Sequence, residues 1–478
     1  MKPFLFLILA VAFSSSLFLS LKTPHRQRPN VVFILTDDMG WRDLGCYGNS
    51  FNETPQIDKL AASGMRFTQA YAACPVCSPT RASIMTGKYP ARLQLTDFIP
   101  GRNARTDAVF NDKLTTPAFQ QSLPLDETTL AELFRANGYA TAIVGKWHLG
   151  ESKDRYPDKQ GFTQTIGVAP GGSPPGYFYP YATSRWALDD LKETGQPGEY
   201  LTDRLADETS RLITQLKGRP FFLYLAHYAP HIPLQARQAL LAKYEQKKQR
   251  LVDEAFANPH YAAMMESIDS GVGQIIETLK RERIYDNTIL VFTSDNGGLS
   301  VKEGPNTPAT SNLPLRDGKG FLSEGGIRIP LLIRWPGLTK AGLVSDAQLC
   351  TIDYFPTFTE MLTGRPLTSP EIDGVSFVKT LSNGRAPARE ALYWHYPHYS
   401  NQGGRPSAAI RQGDYKLIEH YEDGQLELFN LANDVGETRN LVVADPKRAE
   451  VMQQKLHQWQ HLMQAAMPTS NAAYKAKK

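Results

Sequence analysis

The sequence predicts an α/β fold: a large, mostly parallel β-sheet flanked by helices, followed by a smaller C-terminal α+β subdomain. Three observations carry this. Short apolar runs rich in β-branched residues recur at 31–35, 141–144, 221–225 and 288–292. Longer amphipathic stretches separate them, the alternation that a parallel sheet with crossover helices produces. After residue 353 the texture changes to shorter strand-like pieces and one terminal helical stretch.

Taken in order, the chain begins with Met1-Lys2-Pro3, an apolar run at 4–13, a Ser14-Ser15-Ser16 break and Leu17-Phe18-Leu19, then Lys22, His25, Arg26 and Arg28. That layout predicts a secretory signal over residues 1–27 and an exported protein, periplasmic or secreted. The run to Leu21 also approaches membrane-spanning length, so an uncleaved anchor stays open, and with it a membrane association. The main domain is assigned to 28–370. Within it, helices are predicted at 128–136 before Asn137-Gly138, at 202–217 before Gly218, and at 261–283. Residues 98–123 and 150–196 are rich in Gly, Pro, Asn and aromatics and read as substrate-side loops. The subdomain, 371–478, carries strands at 408–411, 415–420 and 426–429 and a helix at 447–465. The charge run at 243–250 reads as a solvated helix face.

Composition bounds the function. With 478 residues, 41% hydrophobic and 21% charged, the chain has the makeup of an ordinary globular enzyme. Its 52 Lys plus Arg against 48 Asp plus Glu leave a net charge of +4. No concentrated basic stripe accompanies it, so nucleic acid is not the expected partner. Four cysteines, Cys46, Cys74, Cys77 and Cys350, are too few for a disulfide scaffold. Cys74-Pro75-Val76-Cys77 has the spacing of a vicinal thiol pair or disulfide.

In an open parallel sheet the ligand crevice lies at the carboxyl ends of the strands. Each of the four apolar runs is followed there by polar chemistry: Asp37-Asp38, Lys146 and His148, His227 and His231, and Asp295-Asn296. A single acid at such a place is commonly a helix cap, but four converging strand ends are harder to assign to capping. Asp37, Asp38, Asp295 and Asn296 offer only oxygen ligands, suited to a hard divalent ion such as calcium or magnesium. A zinc phosphatase would want His beside the acids, and His227 and His231 leave a phosphomonoesterase open as the rival. The segment 77–87 has a helix-start signature, with Ser78 as N-cap, Pro79 at the first helical position and Gly87 as stop. This aims Cys77, with Arg81 one turn on, at anions.

Cys77-Ser78-Pro79-Thr80-Arg81, followed by Ala82-Ser83 and Thr86-Gly87, resembles the maturation signature of the type I sulfatases, members of the alkaline-phosphatase superfamily. The resemblance extends to 28–32 leading into Asp37-Asp38, 145–150, 229–233, 294–298, 318–320 with 324–328, and, in the C-terminal subdomain, 410–417 and 427–431. Thr80 stands where the family often has Ser, and Gly87-Lys88 where it often has Gly-Arg. The resemblance implies an alkaline-phosphatase-like fold and a sulfuric ester hydrolase in which a separate formylglycine-generating enzyme oxidises Cys77 to formylglycine. It further implies one calcium ion held by Asp37, Asp38, Asp295 and Asn296 and contacting residue 77. Lys146 and Lys319 would neutralise sulfate oxygens, and a hydroxyl of hydrated residue 77 would attack sulfur. His231 would protonate the departing alcohol, His148 would act as base in the release of sulfate, and Arg81 would orient residue 77. His227 and Trp147 read as structural.

The motifs recognise sulfate rather than the alcohol released. Tyr177, Tyr179, Tyr181, Arg185, Trp186, Trp394, His395, Tyr396, His398 and Arg405 form an aromatic and cationic inventory suited to a sulfated glycan or small molecule, with loop packing as their plainer use. A sulfated sugar, of galactose or N-acetylgalactosamine type, is preferred over an aryl or choline sulfate.

Overall fold

A computed structural model describes residues 28–102, 110–184, 186–251 and 257–475. The predicted signal or anchor at 1–27 lies outside the described residues. Among those described, no helix is long and apolar enough to cross a membrane.

The strands, in chain order, are β1 (Asn30–Thr36), β2 (Met65–Tyr71), β3 (Leu114–Thr115), β4 (Ala140–Gly145), β5 (Gln164–Ile166), β6 (Phe221–Ala226), β7 (Thr288–Ser294), β8 (Arg328–Arg334), β9 (Leu343–Ser345), β10 (Leu349–Cys350), β11 (Leu392–Tyr396), β12 (Ser407–Gln412), β13 (Tyr415–His420), β14 (Leu426–Asn430) and β15 (Thr469–Ser470). The large sheet runs β10-β2-β8-β7-β1-β6-β4-β5, with β9 also beside β2. Its pairings are parallel except at β8, which runs antiparallel to both β2 and β7.

Alternation along β1 explains the layering. Val32 and Ile34 enter one buried cluster with the helices Leu201–Leu216 and Pro259–Arg281, whereas Val31, Phe33 and Leu35 enter another with Cys77–Thr86, Leu130–Ala136 and Tyr354–Thr363. Both faces of the sheet are covered, which is why its strands read as unbroken apolar runs. Burying each such large side chain contributes about 1.5–3 kcal/mol. The helix Leu130–Ala136 starts at a capping box between Thr129 and Glu132.

Residue 370, near which the boundary is expected, lies between the helices Tyr354–Thr363 and Val378–Asn383, and Phe377 and Leu381 still pack in the buried cluster of the large sheet. Beyond it, β11 to β14 form an antiparallel four-stranded sheet packed against the helix Pro446–Leu462. β11 was not expected, because its residues read as loop aromatics. All four cysteines are free thiols, so Cys74 and Cys77 form no disulfide.

Candidate active site

Register pairs Thr36 with Ser294, Leu35 with Ala226, and Gly145 with Ala226, so the ends of β1, β7, β6 and β4 are level. Their next residues therefore meet: Asp37 and Asp38, Asp295 and Asn296, His227 and His231, Lys146 and His148. Asp38 and His148 hold φ of +65° and +58°, left-handed backbone that costs a non-glycine residue about 1–3 kcal/mol and gathers at functional sites. Gly145 is required for the close approach of β4 to β6, since a Cβ there would stand 2.1 Å from the Ala226 carbonyl oxygen.

The helix Cys77–Thr86 supplies the remaining groups. It begins two residues earlier than the cap assignment implied: Val76 is the extended N-cap and Cys77 is already helical. Ser78 is therefore not the cap, and its Oγ instead accepts the Ile99 N–H at 3.1 Å. Gly87 ends the helix at φ +73°, as expected.

Asp37, Asp38, Cys77 and His231 each bring a donor atom to within 4.8 Å of the others, all buried. The Cys77 Sγ lies 3.4 Å from Asp37 Oδ1. Lys146 Nζ pairs with Asp37 Oδ2 at 2.5 Å and Lys319 Nζ with Asp38 Oδ2 at 2.7 Å. Arg81, 1% exposed, holds Asp295 Oδ2 through Nε at 2.9 Å and Nη2 at 2.8 Å, and its Nη1 donates to the Lys146 carbonyl at 3.1 Å. Asp295 Oδ1 accepts the Asp38 N–H at 3.2 Å, and Asn296 Nδ2 donates to Asp38 Oδ1 at 2.8 Å. Three carboxylates thus face three cations, with Asn296 among them.

Burial and the neighbouring Asp295 push the Asp37 carboxyl up. Burial opposes ionisation of Asp38 too, but the Lys319 ammonium and then His231 outweigh it and hold that carboxyl down. Burial first, then Asp37, lifts the Cys77 thiol well above its ordinary range, so it stands protonated.

The two site histidines differ in tautomer, because a carbonyl oxygen only accepts. His148 Nε2–H donates to the Ile99 carbonyl at 2.7 Å, leaving Nδ1 as its basic nitrogen. His231 Nδ1–H donates to the Ile232 carbonyl at 2.6 Å and its Nε2 lies 3.6 Å from Asp38 Oδ2. Burial, then Lys319, lowers His231 to about 3. His227 is buried with no hydrogen-bond partner on either ring nitrogen among the described residues, and burial alone lowers it to about 4.

The donor set fits a hard divalent cation. Asn296 Oδ1 is a buried acceptor without a hydrogen-bond partner among the described residues, and with Asp37, Asp38 and Asp295 it would offer the oxygen donors that calcium takes.

Two supporting groups act in ways the sequence did not indicate. Tyr177, read there only as a loop aromatic, donates its O–H to the His231 carbonyl at 2.8 Å. A Cβ on Gly172 would lie 2.1 Å from His148 Cε1, so glycine there makes room for the ring. Of the loop inventory, Tyr177, Tyr181, Trp394, His395 and Tyr396 are buried in packing. Trp394 donates to the Ala72 carbonyl, and His395 bonds Tyr421 and the Ala466 carbonyl. Arg405 pairs with Asp423 at 3.0 Å. His398 lines a cavity of about 770 Å³ with Asp97, Arg102, Phe119 and Tyr399. Arg185 lies outside the described residues.

A covered sheet that delivers acids, lysines and histidines level with a cysteine at a helix start is the architecture of the alkaline-phosphatase-like ester hydrolases. Within that class the chain belongs to the sulfatase family: the sulfatase model matches residues 29–364, and that of the N-sulphoglucosamine sulphohydrolase C-terminal region matches 317–465. It is a sulfuric ester hydrolase. A sulfatase of Formosa agariphila is 32% identical over 96% of this chain and 94% of its own. Human N-acetylgalactosamine-6-sulfatase is 34% identical over 77% of this chain and 68% of its own. The crystal structure of Ps i-CgsB, also solved in complex with k-i-k-neocarrahexaose, superposes with TM-score 0.77 at 30% identity, over 92% of this chain and 94% of that one.

Proposed function

We propose that this sulfatase removes sulfate from a sugar of the galactose or N-acetylgalactosamine type, with Cys77 matured to formylglycine and one calcium ion held by Asp37, Asp38, Asp295 and Asn296. The observation that carries the reading is the convergence of Cys77, Asp37, Asp38 and His231 within 4.8 Å, on an edge where Lys146 and Lys319 pair with those two acids. The carbohydrate preference is supported by the N-acetylgalactosamine-6-sulfatase relatives and by the complex of Ps i-CgsB with k-i-k-neocarrahexaose. The apolar N-terminal segment supports export, and maturation requires a separate formylglycine-generating enzyme.

The Sγ of Cys77 stands in for the two hydroxyls of the hydrated aldehyde, which supply a nucleophile toward sulfur and a second ionisable proton. Calcium supplies positive charge against the sulfate oxygens. The chain's own groups do the rest. Lys146 and Lys319 hold ammonium groups beside residue 77 and turn from their carboxylates to the anion. Arg81 fixes Asp295 and, through the Lys146 carbonyl, the start of the segment that carries His148. His231 presents Nε2 to the departing oxygen; with Nδ1–H committed to the Ile232 carbonyl, it gives a proton from Nε2 only as the imidazolium, the form that negative charge developing on that oxygen favours. His148, with Nε2–H committed to Ile99, takes a proton at Nδ1.

Two measurements test this. Mass spectrometry of the peptide containing residue 77, from active protein made with the maturation enzyme, is expected to show the aldehyde. Paired assays are expected to show faster release of sulfate from a 6-sulfated N-acetylgalactosamine with calcium than of phosphate from an aryl phosphate with zinc. An unmodified thiol in fully active protein, or the reverse order of rates, overturns the reading.

A further inference from the structure

Lys319 follows no strand of the sheet; it sits in the segment 316–326, which closes on itself where Gly325 N–H donates to the Arg316 carbonyl at 2.9 Å. Gly325 is needed for that closure, for a Cβ on it would lie 2.4 Å from the same carbonyl oxygen. Toward the site, this ring is tied by Lys319 N–H to the Gly298 carbonyl at 3.1 Å and by Gly320 N–H to the Pro75 carbonyl at 2.9 Å.

Its two ends are held from the other side, by the C-terminal subdomain. At the exit, the Glu324 N–H donates to Glu437 Oε2 at 2.7 Å, and Lys416 Nζ joins the carboxylates of Glu324 and Glu437 at 3.0 Å each. Tyr71 O–H completes Glu324 at 2.8 Å. At the entry, Arg316 pairs with Glu427 at 2.8 Å and donates to the Glu437 carbonyl at 3.4 Å. Glu324 and Lys416 are fully buried and Glu437 is 2% exposed, with Glu437 itself at φ +53°. An apolar contact would stabilise this interface as well as an ion network does. What the network adds is direction: charge-assisted bonds hold one backbone N–H and one side chain at set positions.

We propose that Glu437, with Lys416 and Arg316, is a positioning residue for Lys319: the C-terminal subdomain clamps both ends of the 316–326 ring and so places the Lys319 ammonium against Asp38 and the sulfate. The proposal rests on Lys319 serving the reaction. A displacement near 1 Å in a catalytic group costs about 100-fold in rate, which sets the scale of the expected effect.

The test is a double-mutant cycle on the full-length, matured enzyme, reading kcat, KM, the inhibition constant of inorganic sulfate and the melting temperature. Glu437→Ala is expected to lower kcat about 10- to 100-fold and to weaken inhibition by sulfate, at temperatures well below its melting point. Glu437→Gln, which keeps an acceptor for the Glu324 N–H, is expected to recover most of that loss. In a Lys319→Ala background Glu437→Ala is expected to change kcat less than about twofold, because the group it positions is gone. Arg316→Gln, at the partly exposed entry of the ring, carries the same cycle if Glu437→Ala does not accumulate folded. Costs that multiply in the double variant, or a loss of kcat that simply follows melting temperature, overturn the positioning role. Lys319→Ala with unchanged kinetics would instead refute the assignment of Lys319 to the reaction.

Discussion

Replacing Arg81 separates charge from geometry at the centre of the site. Its guanidinium is 1% exposed and donates two hydrogen bonds, Nε to Asp295 Oδ2 at 2.9 Å and Nη1 to the Lys146 carbonyl at 3.1 Å, with Nη2 in ion-pair contact with Asp295 at 2.8 Å. Arg81→Met strands a buried carboxylate, which costs about 3–5 kcal/mol. Arg81→Lys keeps the charge but not the fork, and an ammonium placed at Asp295 retains the carboxylate bond but not the one to the Lys146 carbonyl. Losing that one bond from a charged donor leaves it about 1.5–3 kcal/mol below wild type. Both variants should be followed by urea unfolding with and without calcium, alongside kcat/KM on an aryl sulfate. A cation among the acids restores part of the charge that Arg81→Met removes. Saturating calcium, worth about 2.7 kcal/mol at a hundredfold excess over Kd, is therefore expected to narrow the Met deficit. The reasoning is refuted if Arg81→Lys stays within about 0.5 kcal/mol of wild type, or if calcium leaves the Met deficit unchanged.

His231→Ala is expected to slow a sugar sulfate by about 10²–10⁴-fold and a nitrophenyl sulfate far less, because only the alkoxide needs a proton as it departs; equal losses on both substrates would remove His231 from that role. Asp97 is a buried carboxyl that burial pushes from 3.8 up to about 7. Between those values the native state keeps a proton that the unfolded chain has lost, so this group makes stability fall as pH rises. Asp97→Asn retains an acceptor for the Phe98 N–H and the Tyr396 O–H, and is expected to gain stability relative to wild type in unfolding curves from pH 5 to pH 8. A difference that does not change with pH would contradict this.

The legible part of the site was the part attached to the sheet. Asp37, Lys146, His231 and Asp295 follow apolar runs, and level strand ends bring such residues together whatever the loops do. Lys319 was visible only through the family resemblance, since its place depends on a closed ring and a distant subdomain rather than on a strand. The Ile99 carbonyl and Gly172, which seat His148, act through backbone and through the lack of a side chain, so residue chemistry gave no sign of them. Ser78 read as a cap from residue type, but the backbone at Cys77 was already helical. Tyr177, Trp394 and Tyr396 read equally well as binding surface or packing, and packing took them because each ring fills a core while its polar atom finds one internal partner.

The antiparallel course of β8 carries a lesson for engineering. Thr293 pairs with Leu331 and Leu290 with Arg334, so the chain enters β8 at the catalytic edge and leaves it at the opposite one. Residues 295–327 thus depart from β7 and return into β8 without crossing the sheet. Chain inserted at the exposed stretch 302–306 grows on the catalytic edge, clear of Asp295, Asn296 and the 316–326 ring, whereas chain inserted in the turn at 335–342 grows from the far edge. The first is the place to alter which sulfate ester is admitted; the second is the place to attach a label or an immobilising tag.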